Sequence, residues 1–463
     1  MIAQNTAQSP PAKKAPHIIL GISAKSADIR TAQGIQTDFS GRLAAKVERF
    51  ALTRMAQRLL FDKNLEAKDQ MRVCWCHRII VDASGDVGVY RVTDGSNARF
   101  SGVSTCGSVW HCPVCAAKIT ESRREELNRA MVAHVKGHGD AYLLTLTFPH
   151  EADHPLGELI PKFDKAIRKF KSCYQYKNIL GNKDGTAGRI GSVRSLEVTV
   201  SLEHGWHPHT HDLVFTKSNG LGELMFDDSI RMDDAGNLDS TPIQELKKAW
   251  VTILLKVGLG DPVKITWMME HALNVRGGKH AAEYIAKFGR DERWGASSEL
   301  TRPHAKIGAI GRDGDMIHFT PFQLLLWAAD GDGWSCHRFR EYAASFHGKR
   351  MLTWSPGLKK RLLGSDDEAS DEEIAAAPLA EEVRAGDLTD SQFGILLSRN
   401  KVGEFLSYTA RCCIDPETAQ ADIDDYIASL EAQPMTHSPA RQKRRLFGNK
   451  EVGNYVVANE AAV

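Results

Sequence analysis

Hydrophobic and polar positions alternate with period two through the middle of the chain. Ser195, Glu197 and Thr199 interleave with Leu196, Val198 and Val200, the pattern of a strand with one polar and one apolar face. After a short turn, segment 205–215 places His207, His209 and His211 at every second position. His209 and His211 therefore project from one side. His207 shares their parity, but Pro208 disfavours regular pairing there. A tight turn makes the two strands antiparallel neighbours and sets Glu197 beside the histidine pair.

Other patterns surround this hairpin. The near-continuous apolar run 141–150 predicts a central, buried strand. Helical spacing appears at 41–64 (Leu43, Val47, Phe50, Met55, Leu59), at 156–176, and from Thr241 onward (Leu246, Trp250, Ile253, Leu254). Segment 118–135 reads as a charged helix with a solvated, DNA-contacting face. Ile79, Val81, Val87 and Val89 flank a turn at 82–86 and predict a short hairpin within 71–91. Segment 264–269 reads as a strand and 279–288 as a helix. The order β-α-β-β-α-β-α is not an alternation of βαβ units. It predicts an α+β fold with an antiparallel sheet.

Length and charge divide the chain further. Its 463 residues suit two to four domains. No apolar run approaches the ~20 residues of a membrane span; the longest, 322–329, is short and contains Gln323. The start is polar and Pro-rich, without a signal-peptide pattern, which predicts a cytoplasmic protein with no membrane association. The net charge of +1 conceals an asymmetry. Segment 365–434 holds 17 acidic and four basic residues, a net −13, so the remainder carries +14. A basic body suits a polyanionic partner; the plainer reading makes the acidic part a solubilising appendage. The expected partition is a disordered lead (1–40), a helix with a cysteine knuckle (41–135), a central domain (136–300), an extension (301–363), an acidic helical region (364–435) and a basic flexible tail (436–463).

Five of the nine cysteines crowd between Cys74 and Cys115. In Cys112-Pro113-Val114-Cys115, thiolates separated by two residues can share one tetrahedral ion. Cys106 lies six positions earlier, and Cys76 or Cys74 supplies the fourth ligand. His111 is a weaker candidate, because it points away from its neighbour Cys112. A redox pair is the alternative, but the additional nearby cysteines favour structural Zn²⁺.

A divalent metal suits two imidazoles and a carboxylate on one sheet face, against the plainer reading of surface histidines on an edge strand. Further on, His280, Tyr284 and Lys287 share one face of a helix, while Glu283 points elsewhere. A tyrosine hydroxyl can attack a phosphodiester that a metal polarises, with a cation such as Lys287 offsetting charge. Taken alone, the segment reads as a packed Tyr/Ile/Phe helix with a surface lysine.

Assembled, these residues resemble the rolling-circle plasmid replication initiators, the one-tyrosine Rep family of the HUH endonuclease superfamily. Leu143-Leu144-Thr145-Leu146-Thr147-Phe148-Pro149-His150 is similar to the first family motif. Glu197-Val198-Thr199 with Gly205-Trp206-His207-Pro208-His209-Thr210-His211 is similar to the metal motif, and Glu283-Tyr284-Ile285-Ala286-Lys287 to the tyrosine motif. The resemblance runs from about Cys74 to Leu363. It implies a ferredoxin-like or RRM-like HUH palm with flanking helices. It also implies Mg²⁺ or Mn²⁺ on His209 and His211, with Glu197 as third ligand and His207 as its rival. Tyr284 would nick single-stranded or extruded origin DNA, forming a 5′-phosphotyrosine and a free 3′-OH. Lys287 would stabilise the developing charge, and host helicase and polymerase would be partners. Some members carry a glutamate one turn before the tyrosine to activate water for termination; here that position is His280. The terminating base is then His280, Glu283 or another subunit.

Three other readings compete. An HUH transposase shares the chemistry and differs in its DNA. A zinc-dependent hydrolase could use the same histidines without needing a basic body. A non-catalytic zinc DNA-binding regulator would bind DNA without tyrosine-dependent nicking.

Overall fold

The period-two segments form the two longest strands among the described residues. The computed structural model describes residues 39–181, 185–217, 231–232, 237–277, 319–434, 443–446 and 456–459. In chain order the strands are β1 (Ile79–Ile80), β2 (Val87–Val92), β3 (Ala98–Phe100), β4 (Asp140–Leu146), β5 (Arg189–Ser201), β6 (Gly205–Thr216), β7 (Arg231–Met232), β8 (Asn237–Asp239), β9 (Leu273–Arg276), β10 (Leu352–Trp354), β11 (Glu382–Leu388), β12 (Lys443–Leu446) and β13 (Val456–Asn459). Among the described residues, seven form one sheet in the order β10-β5-β6-β4-β9-β8-β7, with every neighbouring pair antiparallel. The fold is therefore mixed helix and antiparallel sheet, as the element order implied.

One face of this sheet builds the main core. Leu144, Leu146, Val198, Val200 and Trp206 are buried there. The helices Leu156–Ser172 and Thr241–Val257 contribute Phe163, Phe170 and Trp250 to the same core. Each fully buried large side chain stabilises the fold by roughly 1.5–3 kcal/mol relative to exposure. Ser240 caps the second helix by accepting from the Ile243 N–H, and Pro242 fits its first turn. The first helix ends at Ser172, and a second begins at Tyr174 with the Cys173 thiol accepting from the Tyr176 N–H.

Pro208 does not interrupt the hairpin: β5 and β6 pair continuously from Gly191–Phe215 to Ser201–Gly205, with Val198 opposite Pro208. The Leu196 N–H bonds the Met351 carbonyl and the Val200 N–H bonds the Phe319 carbonyl. Even-numbered β5 residues thus direct their polar groups away from β6, and Pro208 sits at a pair that needs no N–H from it. Nor does β4 pair there, since its ladder with β6 stops at Leu146–Thr210. The turn closes through Gly205 at φ +68°, where a Cβ would lie 2.8 Å from the Ala152 Cα. Only glycine accommodates both conditions.

Four expectations require correction. Run 141–150 is central but not buried on both faces, because Leu143 and Thr145 are half-buried on the histidine face. Segment 264–269 is helical, not a strand. The Asp261 carboxylate accepts from the Val263 N–H, and the turn Pro262–Lys264 runs into the helix Ile265–His271. The expected hairpin within 71–91 does not form, because Val81 and Ile79 bond Gly102 and Ser104 instead. β2 then lies between β3 and β11. The charged helix, Pro113–Lys136, does not present a wholly solvated face. Arg123 and Glu126 are buried, with Arg123 3.1 Å from Asp371 and Lys359 paired to Glu126.

The acidic region is not an appendage. β11 pairs with β2, and helices Asp390–Ser398, Val402–Cys412 and Ala419–Ala432 share a second core with the N-terminal strands. Phe100 packs against Phe393 and Phe405, with ring centroids 5.4 and 5.9 Å apart. Gly403 meets the helix Phe39–Leu60 so closely that a Cβ would lie 2.9 Å from the Val47 Cα. The strands β12 and β13 pair with each other, and β13 with β1.

An ion pair joins this second unit across its sheet. Arg99 on β3 grips both carboxylate oxygens of Glu382 on β11, one at 2.7 Å. That hydrogen bonding holds the Glu382 carboxyl below its ordinary value. A carboxyl lowered by folding stabilises fully above its unfolded pKa of about 4.3, and that contribution is lost as pH falls through the lowered value. Arg99→Ala is expected to cost about 1–3 kcal/mol at neutral pH. The difference in melting temperature from the unsubstituted protein should narrow below about pH 4. Thermal melts followed by circular dichroism at both pH values check this.

Candidate metal centres

The β5–β6 register sets the first centre. Glu197 lies directly opposite His209, and Ser195 opposite His211. Alternation directs Glu197, His209 and His211 to the same face. Their ligand atoms all lie within 4.8 Å of one another. His209 Nε2 is 3.5 Å from one Glu197 oxygen, and His211 Nε2 is 4.0 Å from the other. These two separations fall between the ~3 Å of adjacent ligands and the ~4.2 Å of opposite ligands around an octahedral ion bound at about 2.1 Å.

The imidazoles are oriented from behind. Thr145 Oγ1, on β4, contacts His211 Nδ1 at 2.9 Å, and the His207 carbonyl contacts His209 Nδ1 at 3.2 Å. Both leave Nε2 facing Glu197, the arrangement by which outer partners fix a ligating tautomer. Glu197 is only 3% exposed. A buried carboxylate beside two imidazole nitrogens fits a divalent cation, because burying such a charge is costly without a positive partner.

His207 does not join this convergence. Its Nε2 meets Thr147 Oγ1 at 2.6 Å. Its ring stacks on His150 and His209, with centroids 4.8 and 4.9 Å away. Thr145 and Thr147 are positioning groups to which the hydrophobic pattern alone assigns no role. They are the polar residues at the end of an apolar strand, with the parity of His211 and His207. Thr145→Val is expected to weaken divalent-metal binding by about 10–100-fold. Isothermal titration with Mn²⁺ measures this. Tyr284 and Lys287, with His280 and Glu283, lie outside the described residues.

The second centre uses Cys76, Cys106, Cys112 and Cys115, all buried. Sγ separations are 3.5 Å for Cys76–Cys115 and 3.7 Å for Cys106–Cys115 and Cys76–Cys112. Tetrahedral ligands 2.3 Å from zinc would stand about 3.8 Å apart. The backbone supports the sulfurs. Cys106 N–H donates to Cys76 Sγ, Ser108 N–H to Cys106 Sγ and Cys115 N–H to Cys112 Sγ, at 3.4, 3.4 and 3.5 Å. Cys112 thereby caps the helix that Pro113 opens. A short 3-10 turn, Arg72–Trp75, delivers Cys76 rather than Cys74. Burial pushes the Cys74 thiol up to about 12, an inert buried thiol. His111 turns away, its Nε2 3.0 Å from the Ala343 carbonyl.

Comparison with known proteins places both centres in context. Residues 98–223 match the family described as "Replication protein". That span contains Cys106, Cys112, Cys115, Glu197 and the three histidines. The chain is 28% identical over 354 residues to "Protein rep" of Streptomyces lividans, covering 66% of this chain and 75% of that protein. The family match and the first relative support a plasmid replication initiator. A second relative, "Neomycin resistance protein" of Streptomyces cyanogenus, is 30% identical over 159 residues, or 30% of this chain and 36% of that one. No solved structure matches the chain. These similarities support a general role in initiating replication. Among the described residues no helix is long and apolar enough to cross a membrane.

Proposed function

We propose that this initiator acts by the rolling-circle mechanism, cutting one strand of its origin with Tyr284 as nucleophile on an HUH palm. The observation that carries the reading is the convergence of Glu197, His209 and His211 on one face of the β5–β6 hairpin. A Mg²⁺ or Mn²⁺ ion held by these three would draw charge from a non-bridging oxygen of the scissile phosphate. Thr145 and the His207 carbonyl keep the two imidazoles aimed, and Thr147 holds His207 beside them. Tyr284 Oη attacks phosphorus and gives up its proton. The P–O3′ bond breaks, the departing 3′ oxygen takes up a proton, and a 5′-phosphotyrosine remains. The bond count is conserved, so the same step in reverse rejoins strands. Lys287 offsets the charge developing on the phosphate, and His280 or Glu283 serves as base in the terminating cleavage.

The four cysteines would hold Zn²⁺, which fastens the 3-10 turn to the start of the long helix. On this reading the nuclease domain occupies 136–300 and the zinc element 41–135, with the extension at 301–363. The substrate is single-stranded or extruded origin DNA. The protein acts in the cytoplasm, where host polymerase extends the 3′-OH and host helicase opens the duplex.

The test uses supercoiled plasmid carrying the cognate origin. Added Mn²⁺ or Mg²⁺ should convert it to open circles whose new 3′ end is extended by a polymerase. Binding to the origin without any metal-dependent nick would favour the regulator reading instead. Activity with Zn²⁺ that Mn²⁺ cannot replace would favour a hydrolase.

A further inference from the structure

A basic cavity of about 400 Å³ opens at the β10 edge of the main sheet. Lys171, Lys177, Arg189, Arg194 and Tyr176 line it. Arg194 pairs in register with Asp212, whereas Ser195 pairs with His211. Alternation therefore sets Arg194 and Asp212 on the face opposite Glu197, His209 and His211. The cavity is a second site, separate from the metal centre.

Its charge is unbalanced among the described residues. Asp212 is 1% exposed and receives both Arg194 Nε at 3.1 Å and Lys171 Nζ at 3.5 Å. Lys177 has no carboxylate within ion-pairing distance among the described residues. Arg189 is anchored to the hydroxyls of Ser192 and Ser355 at 2.8 and 3.0 Å, which fixes its guanidinium on the wall. Burial pulls the Lys171 ammonium below its ordinary value, and Asp212 only partly opposes this. Desolvated cations with a single shared carboxylate favour an added anion.

We propose that this cavity holds a backbone phosphate of bound DNA, away from the phosphate that reacts at the metal centre. The proposal rests on the DNA-cutting reading above, and on the +14 charge outside the acidic region. Arg194 and Lys171 supply charge, Lys177 closes on the outer side, and the Tyr176 hydroxyl adds a hydrogen bond. Such a contact strengthens binding without reading sequence.

Fluorescence anisotropy of a labelled oligothymidylate with the full chain, without added divalent metal and across a NaCl series, tests it. Lys177→Ala removes an exposed side chain and should leave the melting temperature unchanged. It should weaken binding about five- to tenfold and reduce the log–log salt slope by about 0.7. Arg194→Gln should act in the same direction, and Lys177→Arg should retain parental affinity. Parental affinity and slope in Lys177→Ala would overturn the proposal. So would loss of inorganic phosphate binding, measured by calorimetry, with oligothymidylate binding intact, since that describes a free-anion site. Nicking by the unsubstituted chain is scored separately. If nicking fails while Lys177→Ala still weakens binding, the cavity assignment stands alone. If nicking occurs and Lys177→Ala binds like the parent, only the cavity assignment falls.

Discussion

His211→Ala is expected to lower Mn²⁺-dependent nicking of origin DNA by about a thousandfold, with the fold retained. Electrophilic charge at a transferring phosphate is worth several kcal/mol, and about 4 kcal/mol corresponds to that factor. Two features make His211 the most sensitive ligand. Its Nδ1 is engaged by Thr145, so only Nε2 faces Glu197. It also sits where β4, β5 and β6 all pair, at Thr145–His211 and Ser195–His211. His207→Ala should cost less, because His207 is turned to Thr147 and stacks on His209. Rates of circle opening for the two variants at saturating Mn²⁺ check this order. Equal losses would make His207 a ligand.

Cys112→Ser should have the largest effect on stability. Cys112 is fully buried, caps the long helix and lies 3.7 Å from Cys76. Thr53, on the N-terminal helix, approaches its sulfur at 3.7 Å. Losing one of four ligands to a structural zinc forfeits much of a binding energy that is also folding energy, in total about 10–16 kcal/mol for small zinc domains. We expect bound zinc to fall well below one per chain, and the melting temperature to drop by about 10 °C or more. Cys74→Ser should retain zinc, since Cys74 stands outside the cluster. Metal analysis of both purified variants separates the two cysteines. Zinc loss in the Cys74 variant alone would reverse the assignment.

The hairpin was readable because alternation in sequence and alternation in a strand are the same geometry. Glu197, His209 and His211 meet where period two puts them. Cys112 and Cys115 were readable for a similar reason, since two intervening residues bring both thiolates to one helix start. The choice between Cys76 and Cys74 was not readable, because the 3-10 turn that decides it carries no periodic signal. Segment 264–269 misled because its apolar residues suit a strand, while the Asp261-Pro262 cap commits the backbone to helix. Arg123 was misplaced for a long-range reason. Its partner Asp371 lies 248 positions away, and no local pattern reports such a contact. The same distance hid the pairing of β11 with β2, which turns an acidic stretch into half of a packed unit.

A tyrosine of this chain is expected to become covalently joined to origin DNA beside the Glu197–His209–His211 centre. The direct measurement incubates the chain with 5′- and 3′-labelled single-stranded origin oligonucleotides and Mn²⁺, followed by a denaturing gel and peptide mapping. The expected adduct retains the label 3′ of the cut, maps to Tyr284 and disappears in Tyr284→Phe. An adduct that persists in Tyr284→Phe, or cleavage with no adduct at all, would contradict it.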